Sequence, residues 1–257
     1  LSNLDYNIEW RVITASDYGM PQRRKRIFIF GVQKSTKIGL EMESAKHPLD
    51  WISRKGVFAR PFPIKKTPVQ MSFDPASPYQ QLHDSSPLNL HAISESFNLE
   101  KKKSPFENSG VVINGRFYSQ KVETKFDGKH VRLGEILLPS QDIEQEFLIK
   151  ADDLLREKGW IYQKGAKKEL RKGTEGFTYK YAEGPVTFPD ALDKPSRTII
   201  TGEGGTGASR FKHVVKFEMT KEHKKNQREE KVEHLKEVRK HLNLGHNEWV
   251  RRLHPIE

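Results

Sequence analysis

The sequence predicts a mixed α+β fold, in which the edge of an α/β domain is followed by a small β-rich domain. Residues 26–32, RIFIFGV, form a short apolar run that is typical of a strand buried on both faces of an α/β sheet. Further along, an Asn-Gly and an Asp-Gly pair each lie between apolar stretches, and each indicates a β-hairpin. Residues 220–243 are highly charged but carry apolar residues at helical spacing.

The first predicted domain covers residues 1–33. Residues 8–15 alternate between apolar and polar side chains, which predicts a strand, and Asp17, Gly19 and Pro21 mark a loop after it. The cations of QRRKR lie where this loop enters the strand at 26–32, a position that functional side chains often occupy.

Residues 34–105 change character and form the second predicted region. Proline is frequent there and hydrophobic periodicity is weak. We expect a linker or an insertion with one short helix near residues 50–54.

The third region, residues 106–219, is predicted to be β-rich. Asn114-Gly115 and Asp127-Gly128 predict two successive hairpins, and residues 140–159 predict a helix that is closed by Gly159. Aromatic residues and cations alternate over residues 160–181. A glycine-rich loop at 202–209 then separates predicted strands at 197–201 and 211–217. The last region, residues 220–257, begins with the charged helix.

Composition bounds the function. The 257 residues carry a net charge of +11, with a pI near 9.6, which favours a polyanionic partner, most often nucleic acid. The chain has no cysteine, which excludes a disulfide framework, a thiolate zinc site and a thiolate nucleophile within it. The ten histidines show no ligand spacing, so we predict no metal site. No apolar run approaches a membrane span and no signal-peptide pattern is present, so we expect a soluble intracellular fragment.

Four segments, in the same order, resemble conserved motifs of the bacterial DNA cytosine-5 methyltransferases. ASDYGMPQRRKRIFIFGV resembles the eighth motif, whose Gln-x-Arg-x-Arg positions are Gln22, Arg24 and Arg26 here. RLGEILLP, residues 132–139, resembles the segment that opens the target-recognition domain. SRTIITGEGG resembles the Thr-Leu dipeptide and the glycine-rich recognition loop that follows it. RRLHPIE resembles the start of the ninth motif.

The resemblance implies the carboxyl part of such an enzyme. Residues 1–33 would be the edge of a Rossmann-like catalytic domain, residues 106–219 the target-recognition domain, and residues 220–257 the return to the catalytic domain. The family's glycine-rich cofactor loop, Pro-Cys nucleophile, Glu-Asn-Val segment and tenth motif are missing from this chain. The chain alone is therefore expected to be inactive, and S-adenosylmethionine is expected to bind mainly to a missing amino-terminal half.

The family's chemistry implies roles for the eighth-motif residues. The target cytosine is flipped out of the duplex, a thiolate attacks C6, and C5 takes a methyl group from S-adenosylmethionine. Arg26 is expected to donate to O2 of the cytosine, Arg24 to contact a phosphate or brace the catalytic loop, and Gln22 to shape the turn. On alternation, Arg24 and Arg26 share one face, which we expect to point inward. Arg23 and Lys25 would be solvated on the other face. The alternative is a charge run that caps the end of a strand.

Contacts to DNA are expected from the recognition loop and from the segment rich in aromatic residues and cations. The candidates are Arg171, Lys172, Thr198, Gly204, Gly205, Thr206, Ser209, Arg210 and Lys212. The alternatives are a flexible hairpin connection for the loop and a solvated basic face for the other segment. Arg251, Leu253 and Glu257 are expected to be structural, with Arg251 in an internal ion pair.

The sequence thus predicts the DNA-recognition part of a cytosine-5 methyltransferase. The expected partners are double-stranded DNA, the amino-terminal half and the endonuclease of a restriction–modification system, with no membrane. The expected location is the bacterial cytoplasm, in association with the nucleoid. Two alternatives stay open: a stand-alone DNA-binding module without catalysis, and a basic RNA-binding protein.

Overall fold

The computed structural model describes residues 4–45, 48–65, 107–174 and 176–257. The chain divides into two compact units. The first unit contains Leu1–Met20 and Arg24–His130, and the second contains Pro21–Arg23 and Val131–Glu257.

The described residues contain eight strands and six α-helices. The strands are β1 Tyr6–Thr14, β2 Lys25–Gln33, β3 Ser109–Ile113, β4 Arg116–Gln120, β5 Lys167–Lys172, β6 Thr178–Glu183, β7 Val214–Glu218 and β8 Glu248–Arg252. The helices are α1 Lys37–Glu43, α2 Pro48–Arg54, α3 Ala151–Leu155, α4 Trp160–Lys164, α5 Lys221–Gln227 and α6 Val232–Leu242. Single 3-10 turns cover Ala15–Tyr18, Leu133–Glu135, Ser140–Asp142 and Gln145–Phe147. The fold is therefore mixed, with small antiparallel sheets.

A four-stranded antiparallel sheet in the order β2-β1-β3-β4 builds the first unit. The turn between β3 and β4 confirms the Asn-Gly prediction: Asn114 and Gly115 both have positive φ, 49° and 76°, as a type I′ hairpin requires. On one face of the sheet, Val111 of β3 packs with Met42 of α1 and Ile52 of α2. The short helix predicted near residues 50–54 is confirmed as α2. The rest of the predicted linker from residue 66 onward lies outside the described residues.

Two charged side chains are buried under these helices. Glu9 accepts from the Trp51 indole N–H at 3.1 Å and from the Val57 N–H at 2.9 Å. Arg11 donates to the carbonyl oxygens of Phe62 and Ile52. Burial raises the pKa of the Glu9 carboxyl and lowers that of Arg11. Both groups join β1 to the segment that follows α2 through directional bonds.

The prediction that residues 26–32 are buried on both faces is wrong for this chain. Within the described ranges β2 is an edge strand that pairs with β1 alone, and α1 and α2 lie on one face of the sheet. Ile27 and Ile29 on the other face are 59% and 60% exposed. The Asp127-Gly128 hairpin prediction is also wrong. The preceding backbone pairs with residues 63–65 instead, and the Phe126 ring packs over Gly128.

The second unit is built around β7 and β8, which form an antiparallel pair. Its core contains Val214, Trp249 and Val250 of this pair, Trp160 of α4, and Val238 of α6. The hairpin of β5 and β6 forms a separate two-stranded sheet. The predicted strand at 211–217 corresponds to β7, whereas residues 197–201 form no strand.

The two long helices predicted for this unit are each divided. Within residues 140–159 only α3 is α-helical, because Leu148 and Ile149 pair with the β8 backbone, which a helix cannot do. Gly159 precedes α4 and does not end a helix. The predicted helix at 220–243 is two helices, α5 and α6. The turn between them carries Glu230, whose carboxylate accepts from the Ala151 N–H at the start of α3.

None of the described helices is long and apolar enough to cross a membrane. Across the described ranges, no group of three or more histidine or acidic side chains is placed to hold a metal ion.

Candidate nucleic-acid interface

The segment of residues 22–26 contains the predicted catalytic side chains. Gln22 forms a parallel bridge with Ser196, and the Arg23 N–H donates to the Ser196 carbonyl at 2.9 Å. The Arg24 carbonyl accepts from the Ala15 N–H at 2.9 Å, which closes the loop after β1. The backbone on both sides of Arg24 is therefore held by hydrogen bonds.

The four cations of this segment, Arg23 to Arg26, are all exposed. Arg26 Nη1 donates to the neighbouring Lys25 carbonyl at 2.8 Å, and the Arg24 guanidinium has no partner among the described residues. We predicted that Arg24 and Arg26 point inward, and in this chain they do not. Their guanidinium donors are available to a group from outside it.

The glycine-rich loop at 202–209 is exposed at its tip. Gly202 and Gly205 adopt positive φ, 92° and 78°, a conformation that favours glycine. Gly204, Gly205 and Thr206 are exposed, and a Cβ placed on Gly204 would meet no atom within 4 Å. The tip therefore leaves room for another molecule to approach its backbone closely.

The buried side chain of Lys212 holds this loop from below. Only 8% of Lys212 is exposed, and its Nζ donates to the carbonyls of Gly205 at 3.2 Å and Gly207 at 2.9 Å. Arg252 Nη1 donates to the same Gly205 carbonyl at 2.9 Å. Lys212, which we predicted as a DNA contact, thus directs its ammonium into the loop.

A carboxylate and an imidazole hold the other end of the loop. Glu203 accepts from the His213 N–H at 2.5 Å, and its second oxygen lies 3.0 Å from Nδ1 of the fully buried His213 ring. Burial alone would raise the pKa of the Glu203 carboxyl, but the contacts with His213 outweigh it and hold this pKa below its ordinary value. Glu203 is therefore an anionic attachment point at the start of the loop.

A second ion pair, between half-buried Arg197 and buried Asp190, fixes the strand that leaves the loop. Arg197 binds Asp190 in a bidentate manner, at 2.6 and 3.1 Å, and donates to the carbonyls of Phe211 and Lys212. Asp190 Oδ2 also accepts from the Val214 N–H at 2.9 Å. The backbone over 211–214 is thus bound by an arginine and a carboxylate together.

Lys164 of α4 contributes a second buried cation beside Lys212. Its Nζ donates to the Arg210 carbonyl at 3.0 Å and to the Lys212 carbonyl. Burial lowers the pKa of Lys164 to about 8, and the nearby Arg197 adds to this shift. Sequence reasoning missed this residue, because an isolated lysine in a charged segment is typical of a solvated surface.

Other predicted DNA contacts are bonded within the second unit. Arg210 forms an ion pair with Glu183 at 2.7 Å and donates to the Gly165 carbonyl. The Ser209 hydroxyl accepts from the Phe211 N–H at 3.3 Å, and the Thr198 hydroxyl donates to the Arg23 carbonyl at 3.0 Å. These three side chains contribute to the loop's support.

The hairpin of β5 and β6 separates the last two predicted contacts. Arg171 lies on one face, paired with Glu169 at 3.2 Å and stacked 3.5 Å from the Tyr181 ring centroid. Lys172 lies on the opposite face and is exposed. Only the second side chain is directed freely to solvent.

The ninth-motif residues lie inside the second unit. Arg251 and Glu257 form a bidentate ion pair at 2.5 and 2.7 Å, and both side chains are fully buried. Glu257 also accepts from the Leu138 and His254 N–H groups. Burial would raise the pKa of Glu257, but its bonds, foremost that from Arg251, hold it below its ordinary value. Leu253, two residues after Arg251, is half-buried.

Comparison with known proteins identifies the family. The model of the C-5 cytosine-specific DNA methylase family matches residues 1–257. The chain belongs to this family. The chain is 34% identical over 210 residues to the type II methyltransferase M.Sau3AI of Staphylococcus aureus, a match that covers 81% of this chain and 46% of that protein. It is 31% identical over 121 residues to the type II methyltransferase M.NlaIV of Neisseria lactamica, which covers 44% of this chain and 26% of that protein.

A third DNA methylase relative matches a shorter stretch. The type II methyltransferase M.DsaV of Dactylococcopsis salina is 36% identical over 56 residues, 22% of this chain and 16% of that protein. The chain thus spans less than half the length of each of these relatives. The comparison with solved structures gives no significant match.

C-5 cytosine-specific DNA methylases use S-adenosylmethionine, and the described residues offer a poor fit for it. A cavity of about 400 Å³ in the first unit is lined by three cations, Arg11, Lys25 and Lys65, and by two carboxylates, Asp17 and Glu123. The cofactor carries a sulfonium, an ammonium and one carboxylate and is therefore a net cation, which an excess of positive charge disfavours. We therefore assign no cofactor site to this cavity.

Proposed function

We propose that this chain is the target-recognition part of a DNA cytosine-5 methyltransferase and that it binds double-stranded DNA. The observation that carries this proposal is the loop at 202–209. Its glycine tip is exposed, while two buried lysines, Lys164 and Lys212, the half-buried Arg197 and the Glu203–His213 pair hold its base. A loop fixed in advance loses little conformational entropy when it binds, which favours a role in specific recognition.

We assign direct DNA contact to the exposed part of this loop. The residues bonded beneath the loop hold it in position. Gly204, Gly205 and Thr206 present backbone amides and a hydroxyl to solvent, and these groups suit phosphates and base edges. Thr198, Ser209, Arg210 and Lys212 are bonded within the unit. We propose that these four position the loop.

The exposed arginines of the eighth motif are proposed to act on the flipped cytosine. Arg26 would donate to O2 of the ring, because a guanidinium stays cationic and presents fixed donors while charge builds up on the ring. Arg24 would contact phosphate or brace the catalytic loop, and Gln22 would hold the turn. This assignment is supported by the exposure of both guanidinium groups and by the hydrogen-bonded backbone around them.

The nucleophile and the cofactor are proposed to come from an amino-terminal part of the same enzyme. This chain contains no cysteine, so it cannot supply the thiolate that attacks C6. S-adenosylmethionine supplies the methyl group when it is bound there. The exposed apolar side chains of Ile27 and Ile29 on edge strand β2 are the surface that we assign to contact with that part, as the edge of a Rossmann-like sheet.

The setting that we propose is a bacterial restriction–modification system with a cognate endonuclease. The relatives M.Sau3AI and M.NlaIV are named type II methyltransferases. The protein would act in the cytoplasm, at the nucleoid.

The test of the catalytic proposal combines this chain with the amino-terminal part, a duplex that carries the target site, and tritiated S-adenosylmethionine. We expect label transfer to depend on both parts. Arg26→Ala should abolish transfer while duplex binding is retained, whereas Arg23→Ala, an equally exposed neighbour, should leave transfer intact. Full activity of the Arg26→Ala variant would overturn the role that we assign to it.

A stand-alone DNA-binding module without catalysis is the second candidate, and the internally bonded loop at 202–209 would serve it equally well. The same experiment separates the two. The binding module would be established if this chain binds duplex DNA tightly but no label is transferred when any amino-terminal part is added. Tighter binding to duplex RNA than to duplex DNA would contradict both.

A further inference from the structure

The hairpin of β5 and β6 has two faces of opposite character. Pairing in the hairpin places Leu170 opposite Lys180 and Lys172 opposite Thr178. Alternation therefore puts six residues on one face, which we call the outer face: Lys168, Leu170, Lys172, Thr178, Lys180 and Ala182. All six are exposed, and Leu170 is 71% exposed.

The inner face is electrostatically satisfied by its own side chains. Glu169 accepts from the Tyr162 hydroxyl at 2.7 Å and pairs with Arg171, which stacks on Tyr181. The hydrogen bond from Tyr162, followed by that from Arg171, holds the pKa of the Glu169 carboxyl below its ordinary value. Lys167 lies 4.9 Å from the Tyr162 ring centroid and donates to a glutamine side chain. Every charge on this face has a partner nearby.

The outer face has no such compensation. Its three lysines have no ion-pair partner among the described residues, and none of its six members is acidic. An exposed strand face with three cations, two apolar side chains and no carboxylate is electrostatically matched to a polyanion. A two-stranded ribbon also fits the width of a DNA major groove.

The spacing of the lysines suits a phosphate backbone. Lys168 and Lys172 are four residues apart on one strand, which is about 13 Å, and Lys180 lies opposite the midpoint. A duplex carries one phosphate charge per ~1.7 Å of its axis, so about eight phosphates fall within this length. Phosphates are therefore dense enough along a duplex for each of the three ammonium groups to be matched with one.

We infer that the outer face of the β5–β6 hairpin is a second duplex-DNA contact, in which Lys168, Lys172 and Lys180 bind backbone phosphates around Leu170. This inference rests on the proposed function, that the chain binds double-stranded DNA. It differs from the sequence prediction, which offered Lys167, Lys168, Arg171 and Lys172 for phosphate contacts, because it adds Lys180 and places Lys167 and Arg171 on the inner face.

The test measures duplex affinity of the 257-residue chain as a function of salt concentration. The test variant replaces all three outer-face lysines with glutamine: Lys168→Gln, Lys172→Gln and Lys180→Gln. The control removes three equally exposed lysines of the same unit beside and along α6: Lys231→Gln, Lys236→Gln and Lys240→Gln. Both variants lose the same charge, and circular dichroism and thermal unfolding should show that both are folded.

Loss of three phosphate contacts should reduce the magnitude of the negative slope of log K against log salt by about 2.7, at ~0.9 per contact. Affinity at 0.1 M salt should fall by roughly tenfold to 500-fold. The upper figure is a slope change of about 2.7 applied over a tenfold range of salt concentration, from 1 M to 0.1 M. The control variant should keep its slope within about 0.5. An unchanged slope in the test variant, or an equal fall in both variants, would overturn the inference while wild-type binding upholds the proposed function. Absence of duplex binding by the wild-type chain would overturn the proposed function and this inference together.

Discussion

Replacing Lys212 with methionine should disorder the loop at 202–209 without removing a phosphate contact. The change keeps an unbranched apolar side chain of about the length of the lysine stem and removes the ammonium. Its Nζ donates to the carbonyls of Gly205 and Gly207 at 3.2 and 2.9 Å, so the variant loses two charge-assisted hydrogen bonds.

The size of the effect follows from these two bonds. Hydrogen bonds to charged groups contribute roughly 1.5–3 kcal/mol each. Water replaces part of this energy because the loop tip is exposed, and Arg252 still holds the Gly205 carbonyl at 2.9 Å. We therefore expect the ordered loop to lose about 1.4–2.8 kcal/mol, which weakens binding to the target duplex about tenfold to a hundredfold.

The assay compares a target duplex, obtained by selection, with a scrambled duplex over a range of salt concentrations. Lys212→Met should weaken binding to the target, change scrambled-duplex affinity less than about twofold, and leave the salt slope unchanged. Lys172→Met is the matched control, because Lys172 is exposed on the hairpin. That control should lower the slope by about 0.9 and weaken both duplexes equally.

One result would refute this reasoning. If Lys212→Met lowers the slope by about 0.9 and weakens both duplexes equally, Lys212 contacts phosphate directly, as its sequence position predicts. The bonds to the two loop carbonyls would then not persist when DNA is bound.

Three further predictions follow from buried and exposed groups. Glu257→Gln leaves Arg251 buried without its anion and should cost about 3–5 kcal/mol in urea unfolding. Folding lowers the pKa of Glu257, so its contribution to the free energy of unfolding is present above the unfolded pKa near 4.5 and should be lost as pH falls through the lower folded pKa. A wild-type free energy of unfolding that is flat between about pH 5 and 2 would contradict this. The pKa of Lys164 falls to about 8 on folding, so the wild-type free energy of unfolding should rise between pH 8 and 10.5, by up to about 3 kcal/mol. Lys164→Met should remove that rise, and an equal rise in both proteins would contradict the prediction. Ile29→Glu should leave thermal unfolding of the chain unchanged, because the side chain is 60% exposed, but should weaken association with the amino-terminal part more than about tenfold; unchanged association in a pull-down titration would contradict it.

Local signals in the sequence predicted what local geometry decides. Asn114-Gly115 forms its hairpin because both residues accept positive φ, and the apolar runs before and after it pair. Asp127-Gly128 carries the same signal but forms no hairpin. The backbone before it pairs with residues 63–65, a contact that nothing in the local sequence indicates. Tertiary pairing thus overrides the turn signal.

The buried support of the loop at 202–209 was not predictable from residue type. Lysine is almost never fully buried unless it is paired, so Lys164 and Lys212 are expected on the surface. Their partners are backbone carbonyls, and these are set by the path of the chain. Arg197 adjoins the Thr198 dipeptide, and that position was the one available indication of its role.

The membership of Pro21–Arg23 in the second unit has a practical consequence for cutting and grafting this protein. The Ser196 N–H donates to the Pro21 carbonyl at 2.6 Å, and Arg23 bonds to Ser196 and Thr198 in turn. A fragment that starts at residue 131 keeps the loop but loses these three bonds next to it. If residues 131–257 are transplanted into a related enzyme, the host must therefore offer the same backbone partners as Pro21–Arg23, or the transplant must include this tripeptide.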